Sequence, residues 1–344
     1  MRRGELRDHR RLRGDRIRAR CALRRPDVPP ALQRPHQRGL EERFGRPRRQ
    51  PRGHHGHPVK AALPLAALAG LASAALAQDL PARWDELTAS DWPKAIERSA
   101  ATCILPIGIL EKHGPHAPIG SDLIHVREWS ARAAKREYAV VFPDYFYGQI
   151  YEARHQPGAF ALPPRLVLEL LQETCNEIGR NGFKKIVIVN GHGGNPNLLR
   201  YFVQSQLSER HDYVVYFFDP APDPAIDEQV KKLRKSDPAG DSHAGERETS
   251  TLLYLRPDLV QMDRAKQESG ANQKRLSIPD LYTAIWWYAS YPSHYAGEGD
   301  KATTELGRVL TESRIDALVR ALKAVKSDRS APALQKEFFD RVKE

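Results

Sequence analysis

Glu111, His113 and Asp122 form a short set of residues able to bind a metal ion. They lie in Glu111-Lys112-His113-Gly114-Pro115-His116-Ala117-Pro118-Ile119-Gly120-Ser121-Asp122, directly after an apolar run over 103–107 that reads as a buried strand. Residues two apart in extended backbone leave on one face, so Glu111 and His113 can point together. The loop that follows is rich in Gly and Pro and can fold Asp122 back toward them. Two carboxylates and an imidazole suit Zn²⁺ or Mn²⁺. Two later segments supply what this set lacks. Asn190-Gly191-His192-Gly193-Gly194-Asn195 follows the continuous apolar run 186–189, and its glycines let backbone approach a ligand closely. It is not a nucleotide-binding glycine pattern. Asp241-Ser242-His243-Ala244-Gly245-Glu246-Arg247-Glu248-Thr249-Ser250 opens an apolar helix. His243 and Glu246, three apart, would share one helical face. The alternative reading of Glu246 and Glu248 is as ordinary first-turn acids.

These residues need a scaffold. Apolar runs predict strands over 103–107, 138–142, 186–189 and 213–218. Apolar spacing of 3.6 predicts helices over 123–136, 165–179, 198–207 and 303–325, after a helical entry over 84–96. Strands alternate with helices, which gives an α/β class with a mostly parallel sheet. The run 186–189 has the unbroken apolar character of a central strand covered on both faces. The expected fold is a single three-layer α/β/α domain, with the first two motifs at the carboxyl ends of strands, where ligands gather in such sheets. The irregular stretch 145–164, with Tyr145, Tyr147, Tyr151, His155 and Phe160, would line a pocket together with Trp286-Trp287-Tyr288, or pack as core or subunit contact.

The net charge of +11 over 344 residues is unevenly placed. Residues 1–59 hold 18 Arg against 6 acidic residues; the remainder, 36 basic against 37 acidic, is close to neutral. The basic segment has few aromatics and no apolar period, a composition that does not fold. A nucleic-acid arm is one reading. The preferred expectation is that 1–58 lies upstream of the true start, near Val59, and that the protein binds no nucleic acid. Residues 59–77 read as a signal peptide: Lys60, an uncharged Ala- and Leu-rich run, and the small-x-small site Ala75-Leu76-Ala77 before Gln78. The catalytic domain would then span 78–344, periplasmic or secreted, with no membrane attachment after cleavage. Of Cys21, Cys103 and Cys175, the two in this domain are expected to be buried free thiols.

Taken together, the three motifs resemble the creatininase (creatinine amidohydrolase) family. The matching pieces are Leu105-Pro106-Ile107-Gly108, Glu111 to His116 with Asp122, Asn190 to Asn195, and His243 to Ser250. The tail Gly299-Asp300-Lys301-Ala302-Thr303 with Glu305 and Gly307 is also similar. The resemblance implies two divalent ions, Zn and/or Mn with Fe as a further option, in an α/β fold. It also implies a ring-shaped homo-oligomer such as a hexamer. Glu111 and His192 would hold one ion, His113 the other, and Asp122 would bridge. Creatinine-hydrolysing members take a further carboxylate from the position of Gly194 and an aromatic from that of Gly193; this chain has neither. Glu246 is expected to replace the carboxylate, with Glu248 as alternative ligand or support. His243 matches the family's catalytic histidine and would protonate the departing nitrogen. Gly193 and His155 are candidate substrate contacts, and His116 reads as structural. The implied activity is hydrolysis of a C–N bond in a small-molecule amide, cyclic or not. Removal of formyl groups from formamides, or metal binding without catalysis, are the alternatives.

Overall fold

A computed structural model describes residues 80–342. The expectations for 1–58 and for the signal peptide 59–77 fall outside the described residues. Four strands form one parallel sheet: β1 (Thr102–Ile107), β2 (Val140–Val141), β3 (Lys185–Asn190) and β4 (Val214–Phe218), in the order β2-β1-β3-β4. The two central strands run in register from Thr102 opposite Lys185 to Ile107 opposite Asn190. β1 is buried along its whole length and β3 in all but its last residue.

Helices cover both faces. On one lie α1 (Trp92–Arg98), α3 (Pro164–Arg180) and α4 (Pro196–Ser205). Ala95, Leu171, Cys175, Ile178, Leu199 and Phe202 from these helices pack on Cys103, Leu105, Ile186 and Ile188. On the other face, α2 (Ser121–Arg136) and the long α8 (Thr304–Ser327) bring Val126, Ala133, Ile315, Leu318 and Leu322 onto Ile104, Val187 and Val189. The alternation along β1 and β3 assigns successive residues to opposite cores, as the pleat requires. The architecture is the expected three-layer α/β/α sandwich. Cys103 and Cys175 are buried and free.

Some elements differ from expectation. The strand expected over 138–142 contracts to two residues: Val140 and Val141 pair with Cys103 and Ile104 of β1, Phe142 N closes that ladder on the Ile104 carbonyl, and the Val141 amide is taken on the other edge by the Ala82 carbonyl. The helical entry over 84–96 splits into a 3-10 turn and α1. Sequence period did not reveal α5 (Pro224–Leu233), α7 (Trp286–Ser290) or α9 (Ser330–Arg341). Between α5 and α7 lies α6 (Glu246–Leu255), which carries the third motif. The tail motif explains how α8 docks on it. Thr303 N donates to Ser250 Oγ (2.9 Å), and the Thr303 hydroxyl accepts from Leu306 N to cap α8. At Gly307 any Cβ would lie 1.8 Å from the Ser250 carbonyl oxygen, so only glycine allows this approach. Among the described residues no helix is long and apolar enough to cross a membrane.

Candidate metal centre

The carboxyl ends of β1 and β3 deliver the first two motifs side by side. After β1 the chain turns through Gly114 (φ 59°), and α2 begins at Ser121, placing Asp122 in its first turn. After β3, Gly191 passes the start of α2 so closely that a Cβ there would meet the Asp122 carbonyl oxygen at 2.4 Å. The glycine thus serves approach to the polypeptide, and its neighbour His192 is carried over Asp122. The result is a buried cluster: Glu111 and His113 have no exposure, Asp122 1% and His192 5%.

Each imidazole is oriented by a backbone carbonyl. His192 Nε2 donates to the Gln149 carbonyl (2.9 Å), so Nδ1 faces Glu111 Oε1 at 2.8 Å and Asp122 Oδ2 at 3.1 Å. His113 Nδ1 donates to the Glu111 carbonyl (3.2 Å), so Nε2 faces Asp122 Oδ1 at 3.2 Å and Glu248 Oε2 at 3.8 Å. A carbonyl oxygen can only accept, which fixes a proton on the outer nitrogen and leaves the inner lone pair toward the carboxylates. Asp122 offers one oxygen to each histidine, the disposition of a bridge. Glu111 Oε1 and Asp122 Oδ2 have no hydrogen-bond partner. Ligand atoms around a tetrahedral zinc with bonds near 2.0 Å stand roughly 3.3 Å apart, and these spacings are close to that.

The electrostatics agree. Three buried or half-buried carboxylates, Glu111, Asp122 and Glu248, find only histidine nitrogens within ion-pair distance, and among the described residues no Lys or Arg joins them. Uncompensated charge of this kind is costly. Burial alone would depress the His113 pKa; Asp122, Glu111 and Glu248 outweigh it and raise it to about 10. His192 is likewise raised against burial by Glu111 and Asp122. Burial would raise the Asp122 carboxyl, but the two imidazoles hold it well below the usual range. The protons drawn onto these nitrogens occupy places a cation would take. Glu111, Asp122 and His192 have ligand atoms mutually close enough for one ion, as do Glu111, His113 and His243.

The third motif requires a correction. Glu246 does not join the cluster. Its carboxylate accepts the amides of Lys235 (2.9 Å) and Ser236 (2.6 Å) and is fully buried there. The helical-face argument fails because His243 is not helical. It forms an antiparallel bridge with Ala296, Ala244 has φ 54°, and α6 starts only at Glu246. Glu248, the alternative, turns inward instead. Its Oε2 accepts from Ala244 N (2.6 Å) and lies 3.7 Å from His243 Nδ1. Gly194 supplies no carboxylate, and a Cβ there would require the His192 ring, 2.4 Å away at Nε2, and the Gln149 amide, 2.5 Å away, to shift.

The remaining candidates sort by place. His243 is buried beside the cluster, its Nε2 donating to the Lys112 carbonyl (2.8 Å), and burial lowers its pKa despite Glu111. His116 is structural: Nε2 donates to Thr249 Oγ1 (2.8 Å), which donates onward to the Ala244 carbonyl. Gly193 is exposed beside His192, with open space around its Cβ position. His155 stays outside the cluster. It bonds the Pro292 carbonyl (2.8 Å) and lines a cavity of about 1020 Å³ with Tyr151, Gly194, Trp286, Trp287 and Tyr288. Tyr145 is buried core. Sequence reasoning missed His294. Trp287 Nε1 donates to its Nδ1 (2.8 Å), and its Nε2 donates to Glu111 Oε2 (2.5 Å). The only sequence signal for it was its nearness to the tail motif.

Fold and site together define an α/β protein with a carboxylate–imidazole centre at the carboxyl edge of a parallel sheet. The family model for creatininase (creatinine amidohydrolase) matches residues 85–322, so the chain belongs to the creatininase family. A creatinine amidohydrolase of Pseudomonas putida is 29% identical over 52% of this chain and 74% of its own length. A mycofactocin precursor peptide peptidase of Mycobacterium ulcerans is 28% identical over 67% of this chain and 84% of its own. Solved structures share the fold. A creatininase described as Zn–Zn type covers 72% of this chain and 99% of its own, with TM-score 0.60 and 24% identity. A Mn creatininase covers 72% and 100%, with TM-score 0.59 and 24% identity.

Proposed function

We propose that this chain is a metal-dependent hydrolase of amide C–N bonds. One divalent ion would be held by Glu111, Asp122 and His192, the other by His113, Asp122 and Glu248. The observation that carries this reading is the convergence of the His192 lone pair with the partnerless Glu111 Oε1 and Asp122 Oδ2 within 3.1 Å. Family membership supports it, as do the Zn–Zn and Mn forms of its fold neighbours. Two relatives named amidohydrolase and peptidase both break C–N bonds. Bound ions of this kind supply an activated water and polarise the scissile carbonyl. The chain's own groups do the rest. His243 lies at the cluster with a low proton affinity; its free Nδ1 takes up the proton that the attacking water gives up and hands it to the departing nitrogen. Glu248, the most exposed carboxylate of the cluster, faces the substrate side. His294 and Trp287 hold Glu111 in place. The bare Gly193–Gly194 edge favours an amide other than creatinine.

The test is a panel of creatinine, formamides and short peptides offered to protein stripped of metal and reloaded with Zn²⁺ or Mn²⁺. Turnover that appears only on reloading supports the reading, and formate among the products favours the deformylase form. Bound metal without turnover on any amide leaves the scaffold alternative. We also infer export, supported by the sequence of 59–77; a mature N-terminus at Gln78 tests it. A homo-oligomer is supported by Leu281 and Tyr282, 74% and 83% exposed, and light scattering tests it.

A further inference from the structure

We propose that a second cavity beside the cluster binds a carboxylate of the substrate, with Arg314 as its counter-charge. This inference rests on the hydrolase reading and narrows its substrate to amides that carry an anionic group near the scissile bond. The cavity, about 390 Å³, is lined on one side by His243 and Glu248 and on the other by His125, Trp129, Arg247 and Arg314. It meets the cluster where the cluster is open. The Glu248 side chain is 29% exposed, against 0% for Glu111 and 2% for Asp122.

The far wall is built from polar nitrogens that lack partners. His125 is 3% exposed and its Nε2 has no hydrogen bond; Trp129 Nε1 and Arg314 Nε have none either. His125 and Trp129 stack at 5.6 Å. The Arg314 guanidinium is fixed between the rings of Phe218 (4.9 Å) and Trp129 (5.6 Å). Among the described residues no carboxylate oxygen lies within ion-pair distance of it. Asp219, the acid whose field reaches it, is taken by Arg200 at 2.5 Å. Burial lowers the Arg314 pKa, yet a guanidinium stays charged. The other acid of the wall, Asp241, is neutralised by Arg234 at 2.7 Å. With Glu248 engaged at the centre, the cavity presents a held guanidinium, a second arginine at the rim and two further ring nitrogens. A planar fork of this kind matches a carboxylate, which would accept from it bidentately.

The experiment uses the full chain loaded with Zn²⁺, its metal content measured on each sample. Calorimetry compares N-acetylglycine with its neutral isostere N-acetylglycinamide. The expected result is binding of the acid about tenfold or more tighter than the amide. In Arg314→Met the preference disappears, while metal content and affinity for the neutral amide stay as in wild type. Trp129→Phe keeps the ring but removes one donor, and lowers the preference about threefold; it serves if Arg314→Met does not fold. Equal affinities in wild type overturn the proposal. So does a preference that persists in Arg314→Met and vanishes on metal removal, which places the carboxylate on the ions. Protein that takes up no metal but still shows the Arg314-dependent preference keeps the binding site and defeats the hydrolase reading.

Discussion

Two buried acidic knots lie next to each other at the start of α6, and they are built oppositely. Around Glu246 and Asp241 every charge meets a fixed donor: the amides of Lys235 and Ser236 for one, Arg234 for the other. Around Glu111, Asp122 and Glu248 the ionisable neighbours are imidazoles, two of them with their outer nitrogens already given to carbonyls, and the fixed donors, Ala244 N for Glu248 and His294 for Glu111, leave Glu111 Oε1 and Asp122 Oδ2 without a partner. Residue types barely differ. The first knot is complete without a ligand and holds the 234–246 loop to the helix. The second is complete only when a proton or a cation enters. A carboxylate is read as structural or functional by what satisfies it, not by its burial.

The largest effect should follow from breaking the second knot at its bridge. Asp122→Asn keeps the shape but removes the charge shared by His113 and His192, and should cost about a thousandfold in amide turnover, with metal lost in elemental analysis. Next comes the first knot. Glu246→Ala leaves two buried amides without an acceptor and should cost about 3 kcal/mol, seen as a lower melting temperature with metal content retained. A weaker effect is expected at the support of Glu111. His294→Ala should lower metal affinity about tenfold, read by competition with a chelator. His294 holds a positive φ of 57°, strain consistent with its imidazole being positioned for this bond.

A pH titration sharpens the same contrast. In metal-free protein the folded His113 pKa is raised to about 10 from an ordinary 6.5. Its contribution to stability is complete below pH about 6.5 and is lost as pH rises toward 10. Metal-free protein should therefore lose melting temperature across that window. Metal-loaded protein should not, because an ion stands in place of the proton. Equal slopes would mean that His113 does not face the ion.

Much of this was legible in the sequence. The alternation of apolar runs and helical periods placed the four strands and the sandwich, because central parallel strands and their covering helices are patterned by burial alone. Glu111, His113, Asp122 and His192 were legible because strand ends bring them together over short loops. Glu246 was misread because spacing three implies a shared face only inside a helix. Ala244 at φ 54° and the bridge from His243 to Ala296 end that geometry before α6 begins. His294 was not legible, since it reaches the site from an element far along the chain, and no local period records a tertiary approach.

The most direct test is metal content per chain, measured by mass spectrometry on wild type, Glu248→Gln and Glu246→Gln after reloading and dialysis. The account predicts about two ions in wild type, about one in Glu248→Gln and about two in Glu246→Gln. No metal above trace in wild type, or loss in Glu246→Gln with retention in Glu248→Gln, would contradict it.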